Sequence, residues 1–185
     1  SPKLLGPIIG VMKAYATRVG SGPFPTELDD AIGERIRERG AEYGTTTGRP
    51  RRCGWFDAVA ARFAVEVSGI DAIALTKLFI LDGFDEIMVA TSYRLPDGSL
   101  IDTFPADAEI AEALEPVYET VPAWRRPTEG VTTEAELPSK ALDYLRYLED
   151  MVGVPIAIVS NGPRREETMI RGNTELSDRL RKIIG

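Results

Sequence analysis

The sequence predicts an α/β fold, in which short apolar strands alternate with amphipathic helices. The runs 70–75 and 155–160 have the length and composition of strands buried in a parallel sheet. The segments 57–67 and 138–152 instead repeat apolar residues every three or four positions, as one face of a helix requires. The chain of 185 residues fits a single domain, 1–185, and its 43% hydrophobic content is enough for a core.

The first third of the chain contains two predicted helices. Residues 8–19 are apolar, and 20–25 is a loop rich in glycine and proline. Thr26 and Asp29 resemble a capping box and predict a helix over 27–41. Its buried side is marked by two isoleucines four residues apart, Ile32 and Ile36. The second helix, 57–67, should end at Gly69. It should bury three residues that share a face, Val59, Phe63 and Val67.

The middle third is predicted to be mainly extended. A strand at 86–93 is followed by Leu-Pro-Asp-Gly-Ser at 95–99, a turn sequence. This turn predicts a hairpin that joins 93–95 to 100–104. The next three elements are a short helix, a strand and a polar loop, at 107–114, 117–121 and 123–137.

The last third is predicted to be a helix, a strand and a helix. Pro138 begins the first helix, which ends near Val152 with Gly153 as its stop. Its inward face is marked by three leucines, Leu142, Leu145 and Leu148. The strand 155–160 and a helix over 174–184 complete the chain.

Residues 44–52, which we call the threonine–arginine segment, read Gly-Thr-Thr-Thr-Gly-Arg-Pro-Arg-Arg. Its hydroxyl groups and loop amides can donate hydrogen bonds to a carboxylate or phosphate. Guanidinium groups bind the same anions through two parallel hydrogen bonds. The segment therefore predicts an anion site made by three threonines and three arginines, Thr45, Thr46, Thr47, Arg49, Arg51 and Arg52.

This basic segment lies in an acidic chain. The 22 lysines and arginines against 29 acidic residues give a net charge of −7, which argues against nonspecific nucleic-acid binding. No apolar run is long enough to cross a bilayer, and no secretory signal is recognisable, so we expect neither a membrane nor an export role. The single cysteine, Cys53, excludes an intrachain disulfide and fits the cytoplasm. Histidine is absent, so any acid–base chemistry must use other groups.

Polar residues follow two of the predicted parallel strands. Thr76 and Lys77 come directly after the strand at 70–75, and Ser160-Asn161-Gly162 ends the strand at 155–160. Ligands of open α/β sheets bind at the carboxyl ends of strands. The two groups together predict a cradle for a purine base.

Several motifs, in order and at familiar spacing between residues 8 and 170, resemble adenylosuccinate synthetase. The N-terminal ones are Gly10-Val11-Met12-Lys13-Ala14-Tyr15, Thr17-Arg18-Val19-Gly20 and Gly22-Pro23-Phe24-Pro25-Thr26-Glu27-Leu28. The threonine–arginine segment and Leu75-Thr76-Lys77-Leu78 also match. The C-terminal ones are Pro116-Val117-Tyr118-Glu119-Thr120, Gly153-Val154-Pro155-Ile156 and Gly162-Pro163 with Glu167-Thr168-Met169-Ile170.

The resemblance implies a P-loop-type synthetase fold with a mainly parallel sheet, a peripheral hairpin and surrounding helices. It also implies a cytoplasmic, Mg²⁺-dependent ligase of purine biosynthesis, homodimeric when full length. Such an enzyme uses GTP to join L-aspartate to IMP and forms adenylosuccinate. The chain is similar to the C-terminal part of the family, so the phosphate-loop half, with the Mg²⁺ ligands, is expected to lie outside it.

The resemblance further implies a role for each site residue. Aspartate would be bound by the tip of the segment, Thr45, Thr46, Thr47, Gly48 and Arg49. IMP would contact Arg49 and the backbone of Val19. GTP would contact Arg51 and the two strand ends, Lys77, Leu78, Phe79, Ser160, Asn161 and Gly162. No catalytic residue and no metal ligand is assigned within this chain.

The sequence differs from the family's motifs in two ways, and these differences allow alternative functions. The Gly-Asp-Glu-Gly-Lys-Gly-Lys loop and the catalytic histidine are absent, so we expect the isolated chain to be inactive. Phe79 stands where the family has the aspartate that accepts hydrogen bonds from guanine. The alternatives are a noncatalytic module that binds purine nucleotides, and a variant synthetase that uses ATP or another purine monophosphate.

Overall fold

The structure is a computed structural model that describes residues 6–172 and 175–184. Within these residues the chain forms two compact units, each described separately below. The first unit takes its residues from 1–14, 64–85 and 123–185, and the second consists of 15–63 and 86–122. Whether the chain is a single domain stays a prediction. No described helix is long and apolar enough to cross a membrane.

The first unit is built on a mainly parallel sheet, as the sequence predicts. Its strands are β1 (Ile9–Lys13), β5 (Ala72–Thr76), β9 (Ile156–Ser160) and β10 (Thr168–Ile170), in that spatial order. β1, β5 and β9 run parallel, and β10 is antiparallel to β9. β5 and β9 correspond to the two predicted buried strands, whereas β1 lies in the apolar N-terminal segment that the sequence left unassigned.

Two helices of the first unit confirm the helices that the sequence predicts near the C-terminal end of the chain. α4 (Ser139–Val152) buries Leu145 and Leu148, but Leu142 is only half-buried. α4 ends at Gly153, which has φ +80°, a left-handed conformation that glycine adopts without steric cost. α5 (Glu175–Ile184) agrees with the predicted last helix, whose first residue, Thr174, lies outside the described residues.

The second unit contains a four-stranded sheet and a small two-stranded one. β6 (Glu86–Arg94) pairs with β4 (Phe56–Asp57) in parallel and with β7 (Leu100–Ile101) and β8 (Glu115–Pro122) in antiparallel fashion. The pairing of β6 and β7 confirms the predicted hairpin. β2 (Ala16–Arg18) and β3 (Arg52–Gly54) form the smaller sheet.

The predicted start of the first helix is wrong. α1 (Ala31–Arg39) begins four residues later, and its N-cap is Asp30, whose carboxylate accepts hydrogen bonds from the amides of Ile32 and Gly33. Residues before it pair with β3 instead of winding, because the Leu28 amide donates to the carbonyl of Cys53 (2.9 Å). Ile36 is buried as predicted, but Ile32 is exposed in the first turn.

The predicted face of the next helix is also wrong in part. α2 runs from Ala58 to Ser68, within a residue of the prediction at each end. Val59 is buried, yet Phe63 is 42% exposed and Val67 is 65% exposed. The Phe63 ring instead lies at the edge of the core, with its centroid 6.0 Å from that of Phe104. α3 (Ala108–Glu112) is the short helix expected after the hairpin.

Candidate functional site

The threonine–arginine segment of the second unit folds as a tight hairpin. Tyr43 and Pro50 form an antiparallel bridge at its base. Above them the Gly44 amide donates to the Arg49 carbonyl (2.8 Å), and the Gly48 amide donates to the Gly44 carbonyl (2.7 Å). Gly48 has φ +64°, which permits the reversal of the chain at the tip.

The tip of this hairpin presents its polar groups to solvent. All five residues predicted to bind aspartate are exposed, namely Thr45, Thr46, Thr47, Gly48 and Arg49. One hydroxyl is used internally, since Thr47 Oγ1 accepts a hydrogen bond from the Arg49 amide (3.3 Å). An exposed tip of hydroxyls, amides and a guanidinium is suited to bind a small dicarboxylate.

Arg52, the last arginine of the predicted anion site, is paired within the protein, and its role in anion binding stays a prediction. Its guanidinium forms a bidentate ion pair with Glu27, in which Nε lies 2.8 Å from Oε1. Its third nitrogen donates to the carbonyl of Gly22 (2.8 Å), and the group lies over the ring of Phe24. The pairing holds the pKa of Glu27 below its usual value. Arg52 therefore ties the 20–25 loop to β3.

Arg51 has a different environment, because its partner is fully buried. Arg51 Nη1 lies 2.7 Å from Glu42 Oε2, and 30% of the Arg51 side chain remains exposed. The other carboxylate oxygen of Glu42 accepts a hydrogen bond from the Tyr15 hydroxyl (2.6 Å). Burial, together with the hydrogen bond to Glu42, raises the pKa of Tyr15, so the phenol stays protonated and donates.

Val19 lies next to the base of the hairpin within the same unit. It directly follows β2, and Arg18 at the end of β2 pairs with Arg52 at the start of β3. Because the strands are antiparallel, Val19, which follows β2, lies opposite Arg51, which precedes β3. Val19 is 78% exposed. Val19, whose backbone is predicted to contact IMP, and Arg51, which is predicted to contact GTP, are thus neighbours.

The predicted base cradle in the first unit is assembled at two neighbouring strand ends. Thr76 at the end of β5 pairs with Ser160 at the end of β9. The Lys77 amide continues the ladder and donates to the Ser160 carbonyl (3.1 Å). Lys77 has φ +61°, an uncommon conformation for a residue with a Cβ, of the kind that is often found at binding sites.

The residues after Lys77 differ in what they can offer a ligand. Leu78 is fully buried, so only its backbone can serve, while Phe79 is half-buried. Asp82 does not replace the missing aspartate at position 79. Its carboxylate accepts hydrogen bonds from Trp124 Nε1 and from the amide and hydroxyl of Thr128 (2.8 Å each).

The other side of the cradle is held by internal hydrogen bonds. The Ser160 hydroxyl donates to the Gly162 carbonyl (3.2 Å). Asn161 is buried, its amide donates to the Glu167 carbonyl (2.9 Å), and its side-chain nitrogen donates to Val131 (3.2 Å). Internal hydrogen bonds therefore fix the loop, and Ser160 and Gly162 are half-buried.

Metal ligands are not grouped anywhere in the described part of the chain. Among these residues no three histidine, cysteine, aspartate or glutamate side chains converge on a point that could hold an ion. The described residues therefore do not provide the ligands of a Mg²⁺ site.

Comparison with known proteins identifies the family of the chain. A family model described as adenylosuccinate synthetase matches residues 1–169. The chain belongs to the adenylosuccinate synthetase family. Adenylosuccinate synthetases from Vibrio cholerae serotype O1 and Actinobacillus pleuropneumoniae serotype 3 are 51% and 52% identical to it over 170 and 169 residues. These alignments cover 92% and 91% of this chain and 39% of each relative.

A solved structure of the family has the same fold. The fully ligated adenylosuccinate synthetase from Plasmodium falciparum superimposes with a TM-score of 0.88 at 39% identity. The superposition covers 92% of this chain and 41% of that protein. The chain thus spans about two-fifths of the length of the synthetases that it matches, with the α/β fold expected of the family.

The sequence prediction missed the residues that support the site. Glu42, Tyr15 and Glu27 were not singled out, although each bonds to a residue near the threonine–arginine hairpin. The pairs Tyr15–Glu42, Glu42–Arg51 and Glu27–Arg52 are 27, 9 and 25 positions apart in the sequence. No local pattern relates residues at such distances, so only the tertiary structure could identify them.

Proposed function

We propose that this chain is the portion of adenylosuccinate synthetase that binds aspartate, IMP and the base of GTP. The observation that carries the proposal is the exposed hairpin tip, where Thr45–Arg49 presents three hydroxyls, one of which already accepts a hydrogen bond from the Arg49 amide, and a guanidinium. Arg51 and Val19 lie together at the base of the same hairpin. Membership of the family supports reading these groups as substrate ligands.

Each group then has a chemical task in a GTP-dependent ligation. The reaction phosphorylates the 6-oxygen of IMP and lets the aspartate amine displace that phosphate. The threonine hydroxyls of the tip would hold the aspartate carboxylates, with Thr47 and Arg49 in direct contact. Arg49 would also contact IMP, and Arg51 would contact GTP. Such clamps accelerate a reaction by orienting its partners.

The base of GTP would lie at the ends of β5 and β9. Lys77, Leu78 and Phe79 would form one side, and the Ser160–Gly162 loop the other. The side-by-side placement of Lys77 and Ser160 supports this role. We expect the complete enzyme to be a cytoplasmic homodimer and to take its Mg²⁺ ligands from outside the residues described here.

Calorimetric titration of the 185-residue chain with GTP tests the proposal. Arg51→Ala should weaken GTP binding by about ten- to a hundredfold, since charge-assisted hydrogen bonds contribute about 1.5–3 kcal/mol. The matched control is Arg125→Ala, which removes the same charge from an ion pair with Asp85 in which both side chains are almost fully exposed. Equal GTP affinity in wild type and Arg51→Ala would contradict the assignment of Arg51.

A second candidate is a purine-nucleotide binder without guanine selectivity, either noncatalytic or using ATP. It is favoured by Phe79, whose ring can stack on a purine but cannot accept hydrogen bonds from guanine. The same titration with ATP separates the two. We expect wild type to bind GTP and ATP within about tenfold of each other, and Phe79→Asp to favour GTP. A preference of orders of magnitude for GTP in wild type would exclude this candidate.

A further inference from the structure

Glu42 is a buried acid that the proposed ligand set does not use. Its side chain has no exposed surface, and both of its oxygens are occupied, by Arg51 Nη1 (2.7 Å) and by the Tyr15 hydroxyl (2.6 Å). A buried carboxylate is strongly disfavoured unless it is paired and hydrogen-bonded. The fold therefore holds these two donors against Glu42.

The backbone of Glu42 closes the stem of the threonine–arginine hairpin. Its carbonyl accepts a hydrogen bond from the Arg51 amide (2.9 Å), and its own amide donates to the carbonyl of Arg37 in α1 (2.9 Å). Arg37 Nε in turn donates to the Arg51 carbonyl (2.9 Å). Both sides of the stem are thereby tied to the end of α1.

We propose that Glu42 is a positioning residue, which orients the Arg51 guanidinium toward a nucleoside triphosphate and anchors the hairpin that carries the Thr45–Arg49 tip. The inference rests on the proposed role of Arg51 as a triphosphate ligand. One buried carboxylate would then connect two substrate positions, the triphosphate at Arg51 and the dicarboxylate at the tip. Tyr15 supports it by fixing the second carboxylate oxygen.

Two effects of Glu42 on anion binding oppose each other. Its negative charge reduces the attraction between Arg51 and a phosphate, whereas its hydrogen bond fixes a side chain that would otherwise lose rotamer freedom on binding. The carboxylate faces inward, and 30% of the arginine side chain stays exposed. We therefore expect the orienting effect of Glu42 on Arg51 to be larger than the effect of its negative charge. A planar guanidinium must be correctly oriented to bind a phosphate through two hydrogen bonds.

The test compares GTP with guanosine, which lacks the phosphates, on the full 185-residue chain. Glu42→Gln should weaken GTP binding about five- to tenfold and leave guanosine binding unchanged, as a lost orientation of Arg51 requires. Tyr15→Phe should act in the same direction with a smaller effect, because the charge of Glu42 remains. Glu38→Gln, an exposed acid of α1, is the matched control. A merely structural role would weaken both ligands together.

Double substitution separates positioning from an independent contribution. If Glu42 acts through Arg51, Glu42→Gln in an Arg51→Ala background should cause no further loss of GTP affinity. Unchanged or tighter GTP binding by Glu42→Gln, while Arg51→Ala weakens it, would overturn the inference. Circular dichroism melting checks that each variant is folded, and Tyr15→Phe carries the test if Glu42→Gln is not.

Failure of the proposed function can be distinguished from failure of the inference about Glu42. In that case Arg51→Ala has no effect on GTP binding, or wild type does not bind GTP. Whether Glu42 anchors the hairpin is then tested by measuring hydrogen exchange at the amides of Arg51 and Gly44, both of which are hydrogen-bonded in the hairpin. Exchange of these amides should be at least about tenfold faster in Glu42→Gln than in Glu38→Gln. Equal exchange in the two variants would show that Glu42 does not anchor the hairpin.

Discussion

Buried polar side chains in the described part of the chain are almost all paired, and the exceptions are informative. Three buried atoms lack a hydrogen-bond partner among these residues: Thr26 Oγ1, Arg51 Nε and Asn161 Oδ1. Arg51 and Asn161 are both proposed ligand residues. Unsatisfied buried groups are costly, so each one calls for an explanation. A bound ligand would complete the hydrogen bonding of Arg51 and Asn161, whereas Thr26 lies outside the proposed ligand set.

The buried carboxylate of Asp57 should make the stability of the protein depend on pH. Its carboxylate accepts hydrogen bonds from the Tyr93 hydroxyl (2.7 and 2.8 Å) and the Ala60 amide (3.0 Å). Burial nevertheless raises the pKa of Asp57 above its ordinary 3.8. The folded state therefore holds this proton more tightly, and stability falls as pH rises from 3.8 through the folded pKa.

Asp57→Asn removes this titration and keeps an acceptor for the Ala60 amide. Relative to wild type, its free energy of unfolding should increase with pH across that window, by up to about 1.4 kcal/mol per pH unit. Urea denaturation at several pH values measures the difference. Asp97→Asn is a control of opposite sign, since hydrogen bonds from Ser99 lower the pKa of Asp97. A pH-independent difference for Asp57→Asn would contradict the prediction.

Helices, strands and turns could be predicted from the sequence where they depend on residues that are close neighbours in the chain. The turn at 95–99, the glycine that ends α4 and the apolar runs of β5 and β9 each depend on neighbouring residues, and each was confirmed. The start of α1 was not predictable, because pairing of Leu28 with β3 competes with helix formation. The exposure of Phe63 and Val67 likewise depends on what packs beside α2.

α5 is the element least determined by the family, since the family model ends at residue 169. Leu180 is buried against Ala72 and Ala157 of the first unit's sheet. Leu180→Ala should lower the free energy of unfolding by about 2–4 kcal/mol, because it leaves a cavity in this cluster. Lys182→Ala, on the exposed side of α5, should change it by less than about 0.5 kcal/mol. Equal urea midpoints for the two variants would show that α5 does not pack as described.

The whole molecule offers binding groups without an identified acid–base pair. The chain has no histidine, and neither the family's phosphate loop nor a cluster of metal ligands is present among the residues described. Groups that stabilise transition-state charge typically contribute about 10²–10³ each to the rate. We therefore predict that the purified 185-residue chain forms no adenylosuccinate from GTP, IMP and aspartate.

Product formation followed by absorbance tests this prediction. The control is GTP binding by the same preparation, which shows that an inactive sample is folded. Detectable turnover by the 185-residue chain would refute the prediction and would require catalytic groups that the sequence does not reveal.

The sequence by itself determined the α/β class, most strand and helix positions, the family and the candidate ligands, because these depend on local composition and on motifs. It predicted Thr45–Arg49 and Lys77 as ligand groups, and only the resemblance to the family distinguished Arg51 from Arg52. The tertiary structure shows that Arg52 donates to Glu27 and to the Gly22 carbonyl, whereas Arg51 pairs with Glu42, whose other oxygen accepts a hydrogen bond from Tyr15. The physical reason is that a guanidinium becomes a ligand or a support according to the acid that folding places beside it, and that acid is remote in sequence.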